Sequence, residues 1–174
     1  MKVIQFQPVP GSDGQVTGYL HTPITEMSVH RERFPAVVLC PGGAYAMCSQ
    51  REEDPVALEF LARGYQVFTL VYSVGEKAQE FRPLIEHEAE YGVDPEKIAV
   101  CGFSAGGHLA ASLGVLWNDP QLLRVYDNRG GLNRPNAMIL GYPVITADEF
   151  AHVESIQNVS GCQPGSEGYA YFSL

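Results

Sequence analysis

The segment Gly102-Phe103-Ser104-Ala105-Gly106 sets one hydroxyl between two glycines. A serine alcohol is a weak nucleophile until a neighbouring base takes its proton, so its surroundings decide whether it can attack. The short apolar stretch Ile98–Cys101 leads into this segment, and the small-residue run Gly106-Gly107-His108-Leu109-Ala110-Ala111 leads out of it. That is the Gly-x-Ser-x-Gly nucleophile elbow in its strand-turn-helix setting. The glycines let the strand and helix backbones pass close to each other around a strained serine. The hydroxyl would then project above a sheet, beside helix N-terminal amides that favour developing negative charge. The chemistry that follows is attack by Ser104 on an acyl carbonyl.

Pro41-Gly42-Gly43-Ala44-Tyr45 is the second signal, directly after the apolar run Ala36–Cys40. Glycines there bring bare backbone N–H groups up to a substrate oxygen, and one such donor is worth about 10²–10³ in rate. The amides of Gly43 and Ala44 are expected to act with that of Ala105 as an oxyanion hole. Gly42 and Tyr45 are expected at the substrate pocket.

A base is harder to find. Histidines stand at 21, 30, 87, 108 and 152. His108 lies one helical turn beyond Ser104, where its side chain is expected to point into packing rather than at the hydroxyl. His87 is flanked by Glu86 and Glu88 on a solvated stretch, and His21 and His30 precede the first buried strand. His152 follows the elbow with Asp148, Glu149 and Glu154 nearby, and reads as a surface residue. Glu52, Glu53 and Asp54 read as the acidic first turn of a helix. No metal-ligand spacing appears, and Gly102–Gly107 lacks the acidic residue that follows a dinucleotide-binding glycine loop. No cofactor is expected.

The elements that must position these residues alternate. Val3–Phe6 and Val16–His21 read as a hairpin, and Ala36–Cys40 as a strand buried on both faces. Glu52–Arg63 carries a helical stripe of Val56, Phe60 and Leu61, closed by Gly64. Tyr65–Tyr72 is a strand, then Ile98–Phe103, then a helix from Ser104 to about Trp117, then the strand Ala137–Tyr142. Strand and helix alternation predicts an α/β domain with a mostly parallel sheet covered by helices on both faces. Between Tyr72 and Lys97 the helical candidate Pro83–Tyr91 is short: nine residues at ~1.5 Å each reach about 13 Å. A six-residue strand spans ~20 Å, so cover of one sheet face would be thin. Asp94-Pro95-Glu96 reads as a turn before the next strand. Residues 143–174 are rich in Gly, Ser, Asn and Gln without clear periodicity, and read as a loop or insertion.

Pro41–Tyr45, Ser49–Tyr65, Tyr91–Ile98, Gly102–Leu113 and Gly141-Tyr142-Pro143-Val144 together resemble the α/β-hydrolase-fold serine esterases. The likeness is greatest to the acetyl-esterase and acetylxylan-esterase-like group of carbohydrate metabolism, and it covers almost the whole chain. It implies Ser104 as nucleophile, Gly43, Ala44 and Ala105 as oxyanion donors, and small acyl esters, acetylated sugars among them, as substrates. Pro41 stands where many such enzymes carry histidine. The resemblance also implies a longer crossover helix than the one read here. Two further strands would follow, whose loops carry an acid and then a histidine in the order Ser, Asp or Glu, His. The fold expected here is therefore an incomplete α/β-hydrolase fold with about six of the usual eight strands, in a single domain over 1–174.

Composition is that of an ordinary globular chain rather than a disordered one. The chain has 174 residues, 45% hydrophobic and 18% charged, with a net charge of −9. That charge argues against nucleic-acid or anionic-membrane partners, which need basic patches. No apolar run approaches the ~20 residues of a membrane span, and the N-terminus lacks a signal-peptide pattern. Cys40 and Cys101 end apolar runs as small buried thiols, Cys48 and Cys162 have no Cys-x-x-Cys spacing, and Asn158-Val159-Ser160 is a chance glycosylation match. A cytoplasmic setting is expected. Two functional readings remain: a serine carboxylester hydrolase of low activity for want of its acid and histidine, or a non-catalytic, truncated or degenerate hydrolase fragment. A sheet ending at Ala137–Tyr142 would leave an open edge prone to self-association.

Overall fold

A computed structural model of the chain describes residues 1–8, 11–24, 32–74, 90–124, 130–131 and 133–174. The strands are β1 (Lys2–Phe6), β2 (Gln15–Leu20), β3 (Phe34–Cys40), β4 (Gln66–Val71), β5 (Val93–Phe103) and β6 (Ala137–Gly141). The helices are α1 (Asp54–Ala62), α2 (Ala105–Leu116), α3 (Val153–Ser160) and α4 (Glu167–Ala170). One six-stranded sheet runs in the order β1-β2-β4-β3-β5-β6. β1 and β2 form the expected antiparallel hairpin, and β2 joins β4 antiparallel. The pairs β3–β4, β3–β5 and β5–β6 are parallel.

Alternation along β3 divides the core between the two faces. Val37 and Leu39 pack with Ala57 and Leu61 of α1 and with Val67 and Cys101. Ala36 and Cys40 pack on the other side with Ala105 and Ala110 of α2 and Val159 of α3. Successive strand side chains point to opposite faces, so a continuously apolar strand must be covered twice. From β3 the chain passes through α1 to β4 on one side, and from β5 through α2 to β6 on the other. The loops after β3 and β5 therefore diverge at the carboxyl ends of adjacent strands, where open α/β sheets hold their ligands.

Two expectations change. β5 begins at Val93, so Asp94-Pro95-Glu96 lies inside a strand. The register with β3 jumps from Phe34↔Val93 to Ala36↔Ile98, so these residues form an irregularity within the pairing. The Asp94 carboxylate accepts from the Glu96 amide and pairs with Lys97 at 3.0 Å, which is the local turn chemistry read as a boundary. Residues 143–174 are not simply a loop, since α3 and α4 lie there and bury Ile156, Val159 and Tyr169. The Pro83–Tyr91 helix falls almost wholly on residues outside the described ones, as do His30 and His87. Among the described residues no helix is long and apolar enough to cross a membrane.

Candidate active site

The turn from β5 into α2 is built around Ser104, whose backbone sits at φ 51° and ψ −118°. A non-glycine residue there costs on the order of 1–3 kcal/mol and persists only when its surroundings fix it. They do so sterically. A Cβ on Gly106 would lie 2.1 Å from the Cys40 carbonyl oxygen, and one on Gly102 would lie 2.1 Å from that of Gly106. Both glycines are required by the approach of α2 to β3 and β5. The Ser104 amide donates to Gly141 O at 3.0 Å, and Ser104 O accepts from Val144 N at 3.1 Å, so the end of β6 also clamps the turn.

The loop after β3 lies against this turn. A Cβ on Gly42 would be 3.0 Å from the Ser104 Cβ and 2.8 Å from Phe103 O. Three successive residues have positive φ: Gly43 at 134°, Ala44 at 55° and Tyr45 at 58°. For Ala44 and Tyr45 that conformation is unfavourable by roughly 1–2 kcal/mol each, so the loop needs external anchors. It has four. Tyr72 Oη donates to Pro41 O at 2.6 Å, the Gly42 amide donates to Glu52 Oε2 at 2.7 Å, Asn158 Nδ2 donates to Ala44 O at 2.8 Å, and Tyr45 Oη is 2.7 Å from His108 Nδ1. Among the described residues the amides of Gly43, Ala44 and Ala105 donate to no acceptor. Ala105 directly follows Ser104, and Gly42, the neighbour of Gly43, approaches the Ser104 side chain.

The histidines are placed elsewhere. His108 is 1% exposed, and its Nε2 lies 2.9 Å from Phe172 O. A carbonyl only accepts, so Nε2 carries the proton and Nδ1 accepts from Tyr45. Burial pushes the His108 pKa down, partly countered by the Phe172 carbonyl. Its helix position and its bonds agree with a packing role. His21 follows β2 beyond the Tyr19↔Val67 pair, at the end of the sheet opposite Ser104, and contacts Leu61 O. His152 caps α3 by accepting from the Ser155 amide. Asp148 is exposed, and bonds from Thr146 and the Phe150 amide lower its pKa.

Tyr45 is 2% exposed and lines a cavity of about 440 Å³ with Tyr72, His108, Ser112, Tyr171 and Phe172; Ser104 does not line it. Burial raises the pKa of both tyrosines. Cys40 and Cys101 are buried free thiols, the latter pushed up to about 11 by desolvation. Among the described residues no cluster of His, Cys, Asp or Glu could hold a metal ion.

Two contributors escaped the sequence reading. Glu52 lies on a short 3-10 turn before α1 rather than in the first turn of that helix, and its carboxylate turns back to Gly42 and Tyr142. Asn158 comes from the segment read as a loop. No local pattern marks either one, because both act on residues distant in sequence.

The chain is similar to known proteins. The chain is 32% identical to endo-1,4-beta-xylanase B of Butyrivibrio fibrisolvens over 155 residues, which is 79% of this chain and 24% of that protein. It is 32% identical to an acetylxylan esterase of Xylanibacter ruminicola over 145 residues, 77% of this chain and 27% of the other. The chain thus spans about a quarter of the length of these curated relatives. The crystal structure of an acetyl ester-xyloside bifunctional hydrolase from Caldicellulosiruptor lactoaceticus superposes with a TM-score of 0.71 at 30% identity, over 97% of this chain and 62% of that one. The BD-FAE family matches residues 24–137, well over half of the sequence. With a glycine-flanked serine turn beside a strained loop on a six-stranded, mostly parallel sheet, the chain belongs to the BD-FAE family and has an α/β-hydrolase fold.

Proposed function

We propose that this chain carries the acylation machinery of a serine carboxylester hydrolase acting on small acyl esters, acetylated sugars among them. Ser104 Oγ attacks the ester carbonyl carbon, and its proton passes through solvent water to the alkoxide oxygen that departs. The carbonyl oxygen becomes an oxyanion held by the amides of Gly43, Ala44 and Ala105, and collapse of the intermediate expels the alcohol. Water then hydrolyses the acyl-serine. Gly42, against the Ser104 side chain, borders the substrate, and Tyr45 anchors the loop from the neighbouring cavity. The observation that carries this reading is the Ser104 turn at φ 51°, ψ −118°, forced by Gly102 and Gly106. The xylan-ester and acetyl-ester names of the relatives support the substrate class.

A second reading, a chain that folds as a hydrolase but turns over little on its own, rests on the engagement of the described histidines, His21, His108 and His152. His108 has both ring nitrogens bonded, and His21 and His152 serve other elements. A serine alcohol without a base to take its proton attacks slowly. Hydrolysis of p-nitrophenyl acetate by the 174-residue chain is therefore expected to be weak and lost in Ser104→Ala. Undiminished hydrolysis in Ser104→Ala would sink the serine mechanism. Rapid turnover abolished by that change would show that a residue of this chain acts as the base.

We also propose self-association through β6. Among the described residues it pairs only with β5, and Met138, Ile139 and Leu140 are 43%, 42% and 37% exposed. An open apolar edge strand is a template for pairing with another chain.

A further inference from the structure

Glu52 joins three parts of the site. Its Oε2 accepts from the Gly42 amide at 2.7 Å, and its Oε1 accepts from the Tyr142 hydroxyl at 2.8 Å. The Cβ position of Gly42 that lies 2.7 Å from Glu52 Oε2 also lies 3.0 Å from the Ser104 Cβ, so the carboxylate stands against the serine turn. Tyr142 follows β6 at φ 36°, and its ring lies 5.7 Å from that of Phe103, the residue before Ser104. The short 3-10 turn Gln50–Glu52 is itself fixed to the loop, with Ser49 N donating to Gly42 O and Glu52 N to Ser49 O.

The loop that this carboxylate grips is strained just beyond the point of contact, from Gly43 through Tyr45. Such a run relaxes unless both ends are held. Asn158 and His108 hold the far end through Ala44 O and Tyr45 Oη, and Glu52 and Tyr72 hold the near end at Gly42 and Pro41. A negative charge beside a forming oxyanion would oppose it, so a solvation or charge role for Glu52 works against the reaction. A charge-assisted hydrogen bond to one amide, which leaves the next two amides unbonded, works for it.

We infer that Glu52 is a positioning residue for acyl transfer: by holding the Gly42 amide and Tyr142 together, it keeps the Gly43 and Ala44 amides turned out beside Ser104. This rests on the serine-hydrolase reading above. Glu52 touches no reacting atom and acts through the loop.

The test uses the full chain and three variants. Glu52→Ala should shift the amide proton resonances of Gly42, Gly43 and Ala44, with Gly42 moving upfield as its bond to the carboxylate is lost. It should lower the Ser104-dependent kcat for p-nitrophenyl acetate about 10- to 100-fold, the scale of a slightly misplaced catalytic group, with KM within about threefold. Glu52→Gln retains an acceptor for Gly42 and a donor for Tyr142. It should restore kcat to within about threefold of the parent, which separates a hydrogen-bonding role from a charge role. Tyr142→Phe removes only the second link and should cost less than Glu52→Ala. Unmoved loop amides, an unchanged kcat in Glu52→Ala, or a Glu52→Gln as slow as Glu52→Ala would each overturn the inference. Loss of Ser104 dependence in the parent is a different result, since it removes the serine reading whatever the loop resonances do. Should Glu52→Ala not fold, the comparison of Glu52→Gln with Tyr142→Phe decides. A Gln variant slower than the Phe variant contradicts the hydrogen-bonding role.

Discussion

The corner between β3 and β5 and the edge at β6 are built from similarly apolar strands, yet they end up in opposite conditions. β3 is paired on both sides and covered on both faces, and the loop that follows it is anchored by side chains from α2, α3, the 3-10 turn and Tyr72 just after β4. Among the described residues β6 is paired only with β5, and three consecutive apolar residues in it are more than a third exposed. Strain collects where neighbours are dense: Ala44, Tyr45 and Ser104 hold positive φ only because other groups fix them. A site that must place amides and a hydroxyl within fractions of an ångström therefore belongs at the crowded corner. The edge strand carries exposed apolar surface, and the positive φ beside it, 36° at Tyr142, falls where its end meets the serine turn.

The largest effect should come from breaking the crowded corner itself. Gly106→Ala drives a methyl group into the Cys40 and Pro41 carbonyl oxygens at 2.1 and 2.3 Å. Overpacking against backbone should cost about 3 kcal/mol or more, read as a fall in the urea midpoint or outright failure to fold.

Next comes the pH dependence of the anchor behind the loop. Burial holds the His108 pKa below its ordinary 6.5 in the folded chain. The unfolded chain therefore takes up the proton first, and the stability gained from neutral His108 is present above pH 6.5 and lost as pH falls towards the lower folded value. Urea midpoints should drop over that window in the parent and drop less in His108→Gln, which cannot titrate there. Equal slopes in the two proteins would remove His108 from the account.

Asn158→Ala tests whether the tail anchors the loop. Loss of its bond to Ala44 O should cost about 1 kcal/mol of stability and disturb the Ala44 amide resonance. An unmoved Ala44 signal would return the tail to a mere covering role.

The smallest thermodynamic effect lies on the other side of the comparison. Ile139→Lys places a charge on the exposed edge and should change stability by no more than about 0.5 kcal/mol. It should nevertheless lower the sedimenting mass at high concentration. A parent that stays monomeric throughout would show that the edge is tolerated uncovered.

What could be read along the chain follows from how local each feature is. The Ser104 turn was legible because its requirements are met within five residues, and the two glycines are dictated by backbones that must touch. The strands read correctly where apolar runs were continuous, as at Phe34–Cys40 and Gln66–Val71. α3 was not legible. It has eight residues, too few to be stable alone, and forms because Ile156 and Val159 find partners on Tyr169 and the sheet. The start of β5 was missed for the opposite reason: Asp94 and Pro95 carry real turn chemistry, and pairing with Phe34 absorbs it as an irregularity.

The sequence by itself determined the serine turn, the glycine loop ahead of it, the alternating α/β layout and the inward, packing position of His108. Each depends on residues close in sequence, where steric exclusion and periodicity leave few alternatives. Only the tertiary structure decided that Glu52 serves the loop rather than a helix dipole, that Asn158 reaches Ala44, and that Tyr45 lines a cavity that Ser104 does not. Those contacts join residues up to 114 positions apart, and no local preference encodes a hydrogen bond whose partner is delivered by the packing of another element.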